Sequence, residues 1–254
     1  MRPLLLVAGA ALAVAGCGDD ATVSGGAQEG RPQLVVSAAS SMKEALTSCA
    51  PGFEEGEVRL QFAGSDELAA QIRQGAPVDV FAAASTKLPD ALAAEGKLET
   101  PVEFASNRLV LAVPADGGKV AGLEDLEQDG VKLVIGAEGV PVGDYTRGVL
   151  EQLGEERSAA ILANVRSNEP DVKGVVGKLT QGAADAGFVY VTDVEATDGK
   201  LKAIELPGDL DATASYAAGV VKAAREPEAA EAFVDGLLAG GCHDALIATG
   251  FAEP

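Results

Sequence analysis

The chain has 254 residues, of which 39 are acidic and 19 are basic, so its formal net charge is −20. A surface this acidic repels phosphate backbones and anionic lipids, which excludes nucleic-acid binding and a polybasic membrane patch. The single His removes the main residue of His-rich metal sites and of most His-relayed mechanisms. With 47% hydrophobic and 23% charged residues the chain is globular, and its length fits one large or two modest domains.

The N-terminal residues 1–16 have the form of a signal peptide. Arg2 precedes an apolar run from Leu4 to Val14, which is too short to span a bilayer. The run ends in small residues directly before Cys17, and this pattern resembles the lipobox of bacterial lipoproteins, in which the Cys receives a diacylglycerol. The alternative is an ordinary secreted protein with a chance Cys. We expect a protein that is lipid-anchored at Cys17 on the extracytoplasmic face of the cell membrane.

Residues 17–33 combine the lipidated Cys17 with a stretch rich in Gly, Asp, Ser and Ala. The stretch has no periodic apolar pattern, so it predicts a flexible tether.

From residue 34 onward, apolar runs typical of strands alternate with helical patterns. The predicted strands are 34–39, 58–62, 78–83, 109–113, 133–135, 187–191 and 201–206. Predicted helices include 66–74, a Val-rich stripe from Val172 to Leu179, and a helix that opens at Pro227. This alternation with short loops predicts an α/β fold with parallel sheets covered on both faces.

Two further cysteines, Cys49 and Cys242, lie far apart in the sequence. Outside the cytoplasm such a pair favours a disulfide, which would join the end of the first helix to the C-terminal helix. The alternative is two buried free thiols. His243 is not a convincing base for Cys242, because adjacent residues on a helix point about 100° apart.

Four strand-to-helix junctions share a chemical character. Each carries small residues, hydroxyls or glycines directly before a helix, at residues 38–44, 62–65, 139–145 and 168–172. Sheets of this class bind ligands at the carboxyl ends of their strands. Helix N-termini present free amides and partial positive charge, so several that converge bind an anion without Lys or Arg.

Each junction also has an ordinary structural explanation. Ser41 and Glu44 have the spacing of a capping box, and either Ser65 or Asp66 fits a helix N-cap. Tyr190 fits a strand aromatic whose hydroxyl lies at the sheet edge. From the residues alone, the chain is an extracytoplasmic α/β protein whose helix N-termini favour a bound anion.

The order of the motifs is more specific than any one of them. They include Ala39-Ser40-Ser41, Phe62-Ala63-Gly64-Ser65, Gly75-Ala76-Pro77-Val78-Asp79-Val80-Phe81, Asn107-Arg108-Leu109-Val110, Val140-Pro141-Val142-Gly143-Asp144-Tyr145, Gly187-Phe188-Val189-Tyr190 and Ala248-Thr249-Gly250-Phe251. Over about residues 34–251, this series resembles the successive motifs of periplasmic molybdate-binding proteins. The Gly-Ala-Pro-x-Asp-x-Phe stretch is the most specific motif of the series.

The resemblance implies a two-lobed solute receptor for an ABC importer, with a type II-like periplasmic-binding-protein fold. Each lobe would be a doubly wound sheet, the chain would cross twice between them, and the ligand would bind in the cleft between the lobes. Lobe I is expected at residues 34–105 plus 211–254 and lobe II at 106–210, which places both Cys49 and Cys242 in lobe I. The resemblance also implies that the protein is a monomer, that it is not an enzyme and that it needs no cofactor.

The resemblance also implies the ligand-binding residues. Ser41 and Ser65 would donate hydroxyl and amide hydrogens from lobe I. Val142 and Val172 would donate backbone N–H groups from lobe II, and Tyr190 its phenol. The family more often has Ala where Val142 stands, which matters little if only the amide is used but would narrow the cavity.

A site of neutral donors suits molybdate and tungstate, which accept hydrogen bonds on every oxygen. Hydrogen phosphate carries a proton that needs an acceptor, and a site with donors only leaves that proton unpaired. Sulfate has the same hydrogen-bond pattern and must be excluded by size. Asp66 and Asp144 lie close to two donors, and we expect both to face solvent or to cap their helices.

Three alternatives remain at this point. One is a receptor for another oxyanion such as sulfate. Another is a secreted hydrolase with Ser41 or Ser65 as nucleophile, although neither serine lies in a Gly-x-Ser-x-Gly elbow and His243 is the only imidazole. The third is a lipid-anchored structural protein, but such a role would not explain why the strand ends carry small residues.

Overall fold

The apolar runs of the sequence form the strands of one mixed sheet in the computed structural model, which describes residues 31–254. The strands are β1 (Gln33–Ala39), β2 (Glu57–Ala63), β3 (Val80–Ala83), β4 (Val102–Pro114), β5 (Leu133–Gly136), β6 (Val165–Glu169), β7 (Ala186–Tyr190), β8 (Leu201–Ile204) and β9 (Thr213–Val220). Their order is β2-β1-β3-β9-β4-β7-β5-β6, and β8 pairs with β4.

Helices follow most of the strands. They are α1 (Lys43–Cys49), α2 (Ser65–Arg73), α3 (Lys87–Ala94), α4 (Pro141–Gln152), α5 (Glu155–Ala163), α6 (Val172–Thr180), α7 (Val191–Glu195), α8 (Pro227–Leu238) and α9 (Gly241–Ala248). Short 3-10 turns occupy Ser40–Met42, Ala50–Gly52 and Leu123–Glu127. Across residues 31–254, every helix is too short or too polar to cross a bilayer.

Strand β4 is shared by two parts of the sheet. Its residues 102–108 pair with β9, whereas its residues 109–114 pair with β7 and β8. We call β1, β2, β3 and β9 with their helices the first half-sheet, and β5 to β8 with their helices the second half-sheet. The chain passes from the first to the second along β4 and returns between β8 and β9. The lobe boundaries given above stay a prediction.

The strand directions differ in part from the predicted parallel sheets. β1 is parallel to β2 and β3, and β5 is parallel to β6 and β7. β4 is antiparallel to β7, β8 and β9, and β9 is antiparallel to β3. The reason is the double passage of the chain, because β4 leaves the first half-sheet and β9 re-enters it in the opposite direction. The α/β class is confirmed.

Helices cover both faces of β1. Leu34 and Val36 point to one face and pack in the cluster that includes Leu46 of α1, whereas Val35 points to the other face, towards Leu68 of α2. This alternation follows from the two-residue period of a strand. A fully buried Leu or Val side chain contributes roughly 1.5–3 kcal/mol, so both faces of β1 stabilise the fold.

The predicted disulfide is confirmed. Cys49, the last residue of α1, is bonded to Cys242 in α9, with their Cα atoms 5.0 Å apart. The alternative of two free thiols is therefore wrong. Both helices belong to the first half-sheet, since α9 packs on α1 and on α8, which in turn packs on β9.

The predicted signal peptide, Cys17 and residues 17–30 of the tether lie outside the described residues. At the other end of the predicted tether, Arg31 donates a hydrogen bond to the carbonyl of Glu54 over 2.8 Å. Gln33 already belongs to β1. The folded part of the chain thus begins before the predicted boundary at residue 33.

Candidate anion-binding site

One cavity between the two half-sheets brings together all five residues predicted to bind the ligand. It is lined by Ser41, Ser65, Val142, Val172 and Tyr190, and the space between its lining atoms, open solvent at its mouth included, is about 210 Å³. The two serines come from the first half-sheet and the other three residues from the second. That these residues act as ligands stays a prediction, and the structure places them where that role requires.

Three helices point their N-termini at this cavity. α2 begins at Ser65 after Gly64, α4 begins at Pro141, and α6 begins at Val172. Proline is pre-organised for the first position of a helix, where its missing N–H is not needed. The first amides of a helix have no partner within it and carry partial positive charge, so these ends together favour a bound anion.

The amides of Val142 and Val172 are available as donors. Within residues 31–254, neither N–H donates to another protein group. In α6 the carboxylate of Asp171 accepts from the amide of Gly174 over 2.9 Å, so the helix cap uses an amide two residues after Val172. The cap therefore fixes the start of α6 while leaving its first amide for a ligand.

Both serines of the cavity are buried, and neither caps a helix. The exposed fraction is 4% for Ser41 and 1% for Ser65. Ser41 Oγ accepts a hydrogen bond from Tyr216 Oη over 3.0 Å, and Ser65 Oγ accepts from the amide of Ala84 over 3.2 Å. The capping interpretation of the two serines is wrong, because α1 and α2 have no side-chain cap.

Tyr190 closes the cavity from the end of β7. Its side chain is 1% exposed, and its hydroxyl, buried at the cavity, has no hydrogen-bond partner among the described residues. Burial raises the pKa of this phenol well above its ordinary value, so it stays protonated and can donate. An unpaired buried hydroxyl costs about 1–3 kcal/mol, which an acceptor on a ligand would recover. The alternative of a hydroxyl at a solvated sheet edge does not hold.

The two carboxylates beside the donors line a separate, larger cavity. Asp144 does not cap α4, because its Oδ1 accepts from the amide of Gly139 in the preceding loop over 2.8 Å, but its side chain is partly exposed to solvent as expected. Asp66 differs from the expectation, because its Oδ1 is enclosed and has no partner among the described residues. Burial raises the pKa of Asp66. Neither carboxylate lines the cavity of the five predicted residues.

An ion pair that the sequence did not indicate lies beside the cavity. Lys173 Nζ is 2.8 Å from Glu44 Oε2 and 3.1 Å from Asp193 Oδ1. Burial raises the pKa of Asp193 to about 6, although the neighbouring Lys173 favours the charged form. Asp193 Oδ2 in turn accepts from the amide of Tyr190 over 3.3 Å. The pair therefore connects the first turn of α6 to the backbone of a cavity residue.

The loops before α2 and α6 meet across the cavity. A Cβ atom placed on Gly64 would overlap the carbonyl oxygen of Pro170 and would lie 2.7 Å from Asp66 Oδ1. Gly64 belongs to the first half-sheet and Pro170 to the second. Only glycine allows the two backbones to approach this closely.

The chemistry of the cavity is that of an anion site built from neutral donors. Three serines (Ser40, Ser41 and Ser65), the phenol of Tyr190 and the two free amides line it, and no Lys or Arg of residues 31–254 does. The one carboxylate in its lining, that of Asp171, accepts from Gly174. Such a site binds a small anion through geometry and local dipoles.

Comparisons with known proteins agree with this geometry. Residues 34–252 match the sequence profile of a family described as bacterial extracellular solute-binding protein. The molybdate-binding protein ModA of Mycobacterium tuberculosis (strain H37Rv) is 35% identical, over 98% of this chain and 95% of the relative. The molybdate-binding protein ModA of Escherichia coli (strain K12) is 30% identical, over 86% of each chain.

Solved structures share the fold. The periplasmic molybdate-binding protein of Azotobacter vinelandii superposes with a TM-score of 0.77 at 23% identity, covering 87% of this chain and 99% of its own. The sulfate-binding protein SubI of Mycobacterium tuberculosis superposes with a TM-score of 0.75 at 14% identity, covering 87% and 86%. At these identities the likeness concerns the fold, and it confirms the predicted periplasmic-binding-protein architecture. With the family profile and the relatives above, it follows that this chain belongs to the bacterial extracellular solute-binding protein family.

Proposed function

We propose that this protein is an extracytoplasmic receptor that binds molybdate and delivers it to an ABC importer. The observation that carries the proposal is the convergence of Ser41, Ser65, Val142, Val172 and Tyr190, all neutral donors, on one cavity that no Lys or Arg of residues 31–254 lines. The molybdate-binding relatives with 30–35% identity support the same ligand. Solute-binding proteins of this family are transport receptors, so the hydrolase alternative falls away.

The ligand is a tetrahedral dianion that accepts hydrogen bonds on every oxygen. Molybdate and tungstate have this property, and we propose that both bind. Hydrogen phosphate carries one proton, and the neutral donors that line most of the cavity offer that proton no partner, at a cost of about 1–3 kcal/mol when it is desolvated. Phosphate is therefore rejected by hydrogen bonding, and sulfate by its smaller size.

Binding favours a closed state of the two half-sheets. The ligand contacts Ser41 and Ser65 on one side and Val142, Val172 and Tyr190 on the other, so it gains its full set of hydrogen bonds only when the halves meet. A ligand shifts such an equilibrium by its difference in affinity for the two states. The permease then distinguishes loaded from empty receptors by their shape.

The family works outside the cytoplasm, and we propose that Cys17 anchors the protein there by lipid modification. The mature receptor acts as a monomer and without a cofactor. Labelling of growing cells with a tagged fatty acid tests the anchor, since Cys17→Ala should abolish incorporation and release the protein from membranes. Label on the Cys17→Ala protein would contradict the assignment.

A calorimetric and thermal-shift titration with four oxyanions tests the ligand. At a hundredfold excess over its dissociation constant, a ligand of the folded state adds about 2.7 kcal/mol to stability. Molybdate and tungstate should raise the melting temperature, whereas phosphate should not. A response to sulfate alone would favour the sulfate alternative, and no response to molybdate or tungstate would refute the proposal.

Single substitutions connect the titration to the cavity. Ser41→Ala and Ser65→Ala should each weaken molybdate binding about tenfold, because each removes one buried hydrogen bond. Ser48→Ala is the matched control, since Ser48 lies in α1 and donates only to the carbonyl of Ala45. The control should bind like the unmodified protein.

A further inference from the structure

The hydroxyl of Ser41 has a buried partner outside the set of predicted ligands. Tyr216 in β9 is fully buried, and its Oη lies 3.0 Å from Ser41 Oγ. The Tyr216 ring is held between aromatic neighbours, with centroid distances of 5.2 Å to Phe251 and 5.9 Å to Tyr190. Its hydroxyl therefore has a fixed position behind Ser41.

The direction of this hydrogen bond follows from the relative acidity of the two hydroxyl groups. A phenol is a stronger acid than an aliphatic alcohol, so Tyr216 donates and Ser41 Oγ accepts. Each hydroxyl has a single proton. Once Ser41 Oγ accepts from behind, its own proton is free to point into the cavity.

Ser65 has the same arrangement with a partner whose direction is certain. Its Oγ accepts from the backbone amide of Ala84 over 3.2 Å, and an amide N–H can only donate. The proton of Ser65 is thereby also left for the cavity. The phenol of Tyr216 donates to Ser41 Oγ in the same way as the Ala84 amide donates to Ser65 Oγ.

We propose that Tyr216 is a positioning residue that sets the selectivity of the site. By donating to Ser41 Oγ, it occupies one of the two acceptor lone pairs of that oxygen and leaves the Ser41 proton for the bound oxyanion, which makes Ser41 a better donor and a poorer acceptor towards a ligand. The inference rests on the proposed function, because it concerns how the same cavity distinguishes a fully deprotonated oxyanion from a protonated one.

Without the Tyr216 hydroxyl, Ser41 becomes free to rotate. With both lone pairs free, Ser41 Oγ is a better acceptor for the proton of hydrogen phosphate, and the Ser41 proton is no longer directed towards molybdate. Tyr216→Phe keeps the ring and its packing but removes the donor, so the variant should lose affinity for molybdate and lose discrimination against phosphate.

A double-mutant cycle on molybdate affinity tests whether Tyr216 acts through Ser41. Tyr216→Phe should weaken molybdate binding about three- to tenfold in the unmodified protein, the worth of one hydrogen bond. In the Ser41→Ala background the same change should have less than about a twofold effect. Equal effects in the two backgrounds would overturn the inference.

The ratio of phosphate to molybdate dissociation constants gives a readout that a merely structural role would not move. This ratio should fall at least about threefold in Tyr216→Phe, and an unchanged ratio would overturn the inference. Tyr145→Phe is the matched control, because the Tyr145 phenol contacts the Ser215 backbone and lies outside the cavity. Its effect on molybdate binding should be the same with and without Ser41.

Thermal unfolding of the ligand-free variants shows that each is folded before its affinity is measured. If the unmodified protein fails to bind molybdate, the proposed function is wrong. If it binds molybdate and the cycle shows additive effects, the proposed function stands and the selectivity role of Tyr216 is wrong.

Discussion

Lys173 Nζ lies 2.8 Å from Glu44 Oε2, and this ion pair joins α6 of the second half-sheet to α1 of the first. The same ammonium group is held within the second half-sheet by Asp193, at 3.1 Å. Lys173 is thus fixed by a buried carboxylate of its own half and presented to a carboxylate of the other half. The pair forms only when the halves are together, so it adds to the contacts that a bound ligand makes between them.

Glu44→Gln should weaken molybdate binding by about two- to fivefold, because a partly exposed ion pair contributes roughly 0.2–1 kcal/mol. The change leaves Lys173 paired with Asp193, so the fold is kept. Isothermal titration calorimetry at low and high salt measures it, and the difference should shrink at high salt. Glu127→Gln is the control, since Glu127 pairs with Arg157 inside the second half-sheet. Equal losses in both variants would contradict a role in closure.

Gly64→Ala should prevent full closure without unfolding the protein. The new Cβ would overlap the carbonyl of Pro170, and overpacking of this kind costs about 1–3 kcal/mol, so molybdate binding should weaken about five- to a hundredfold. The ligand-free protein can relieve the clash by opening, and its melting temperature should change little. Gly177→Ala, where the nearest atom is a flexible Gln181 nitrogen at 3.8 Å, is the control. Unchanged affinity in Gly64→Ala would refute the close contact.

Asp193 should give the protein a specific dependence of stability on pH. Burial raises its pKa from 3.8 to about 6, so between about pH 4 and 6 the folded protein holds a proton that the unfolded chain has released. The contribution of Asp193 to the free energy of unfolding therefore falls as pH rises through this window, by a total on the order of 3 kcal/mol.

Urea unfolding of the unmodified protein and of Asp193→Asn at pH 4, 5, 6 and 7 measures this contribution as a difference. The stability of the unmodified protein minus that of the variant should fall from pH 4 to 6 and then level off. Asp235→Asn, which removes an exposed carboxylate of α8, controls for the loss of one negative charge. A difference that stays flat or rises with pH would contradict the buried position of Asp193.

The disulfide should stabilise the fold without affecting ligand binding. The bond between Cys49 and Cys242 closes a loop of 193 residues, and in the chain-entropy description such a loop is worth about 5 kcal/mol. Cys49→Ser combined with Cys242→Ser should lower the free energy of unfolding by about 2–5 kcal/mol. The molybdate dissociation constant should stay within about twofold, because neither residue lines the cavity. A large loss of affinity in a folded variant would contradict this separation.

The strands could be predicted wherever they are continuous apolar runs, and β1, β3 and β7 are of this kind. β6 was missed because it lies at the sheet edge and carries Arg166 and Asn168. β9 was missed because its sequence is mostly small residues with weak strand preference, although it lies in the middle of the sheet. β9 forms a strand because it pairs with β3 and β4, although its own residues do not indicate one.

The cavity could be predicted only in part from local sequence. The junctions at Ser41, Ser65, Val142 and Val172 indicate helix ends that favour anions, and the resemblance to a family was needed to bring them together. Tyr216 and Lys173 escaped prediction because their partners, Ser41 and Glu44, are 175 and 129 positions away. Contacts of this range depend on the order of strands in the sheet, which no local pattern contains.

The position of the disulfide also decides how the protein responds to a protease. Cys49 and Cys242 both belong to the first half-sheet, yet the chain between them contains the entire second half-sheet. In the oxidised protein the second half-sheet is therefore an insertion within a covalent ring. A single cut in any of its loops opens the ring without releasing a fragment, and the two pieces separate only after reduction.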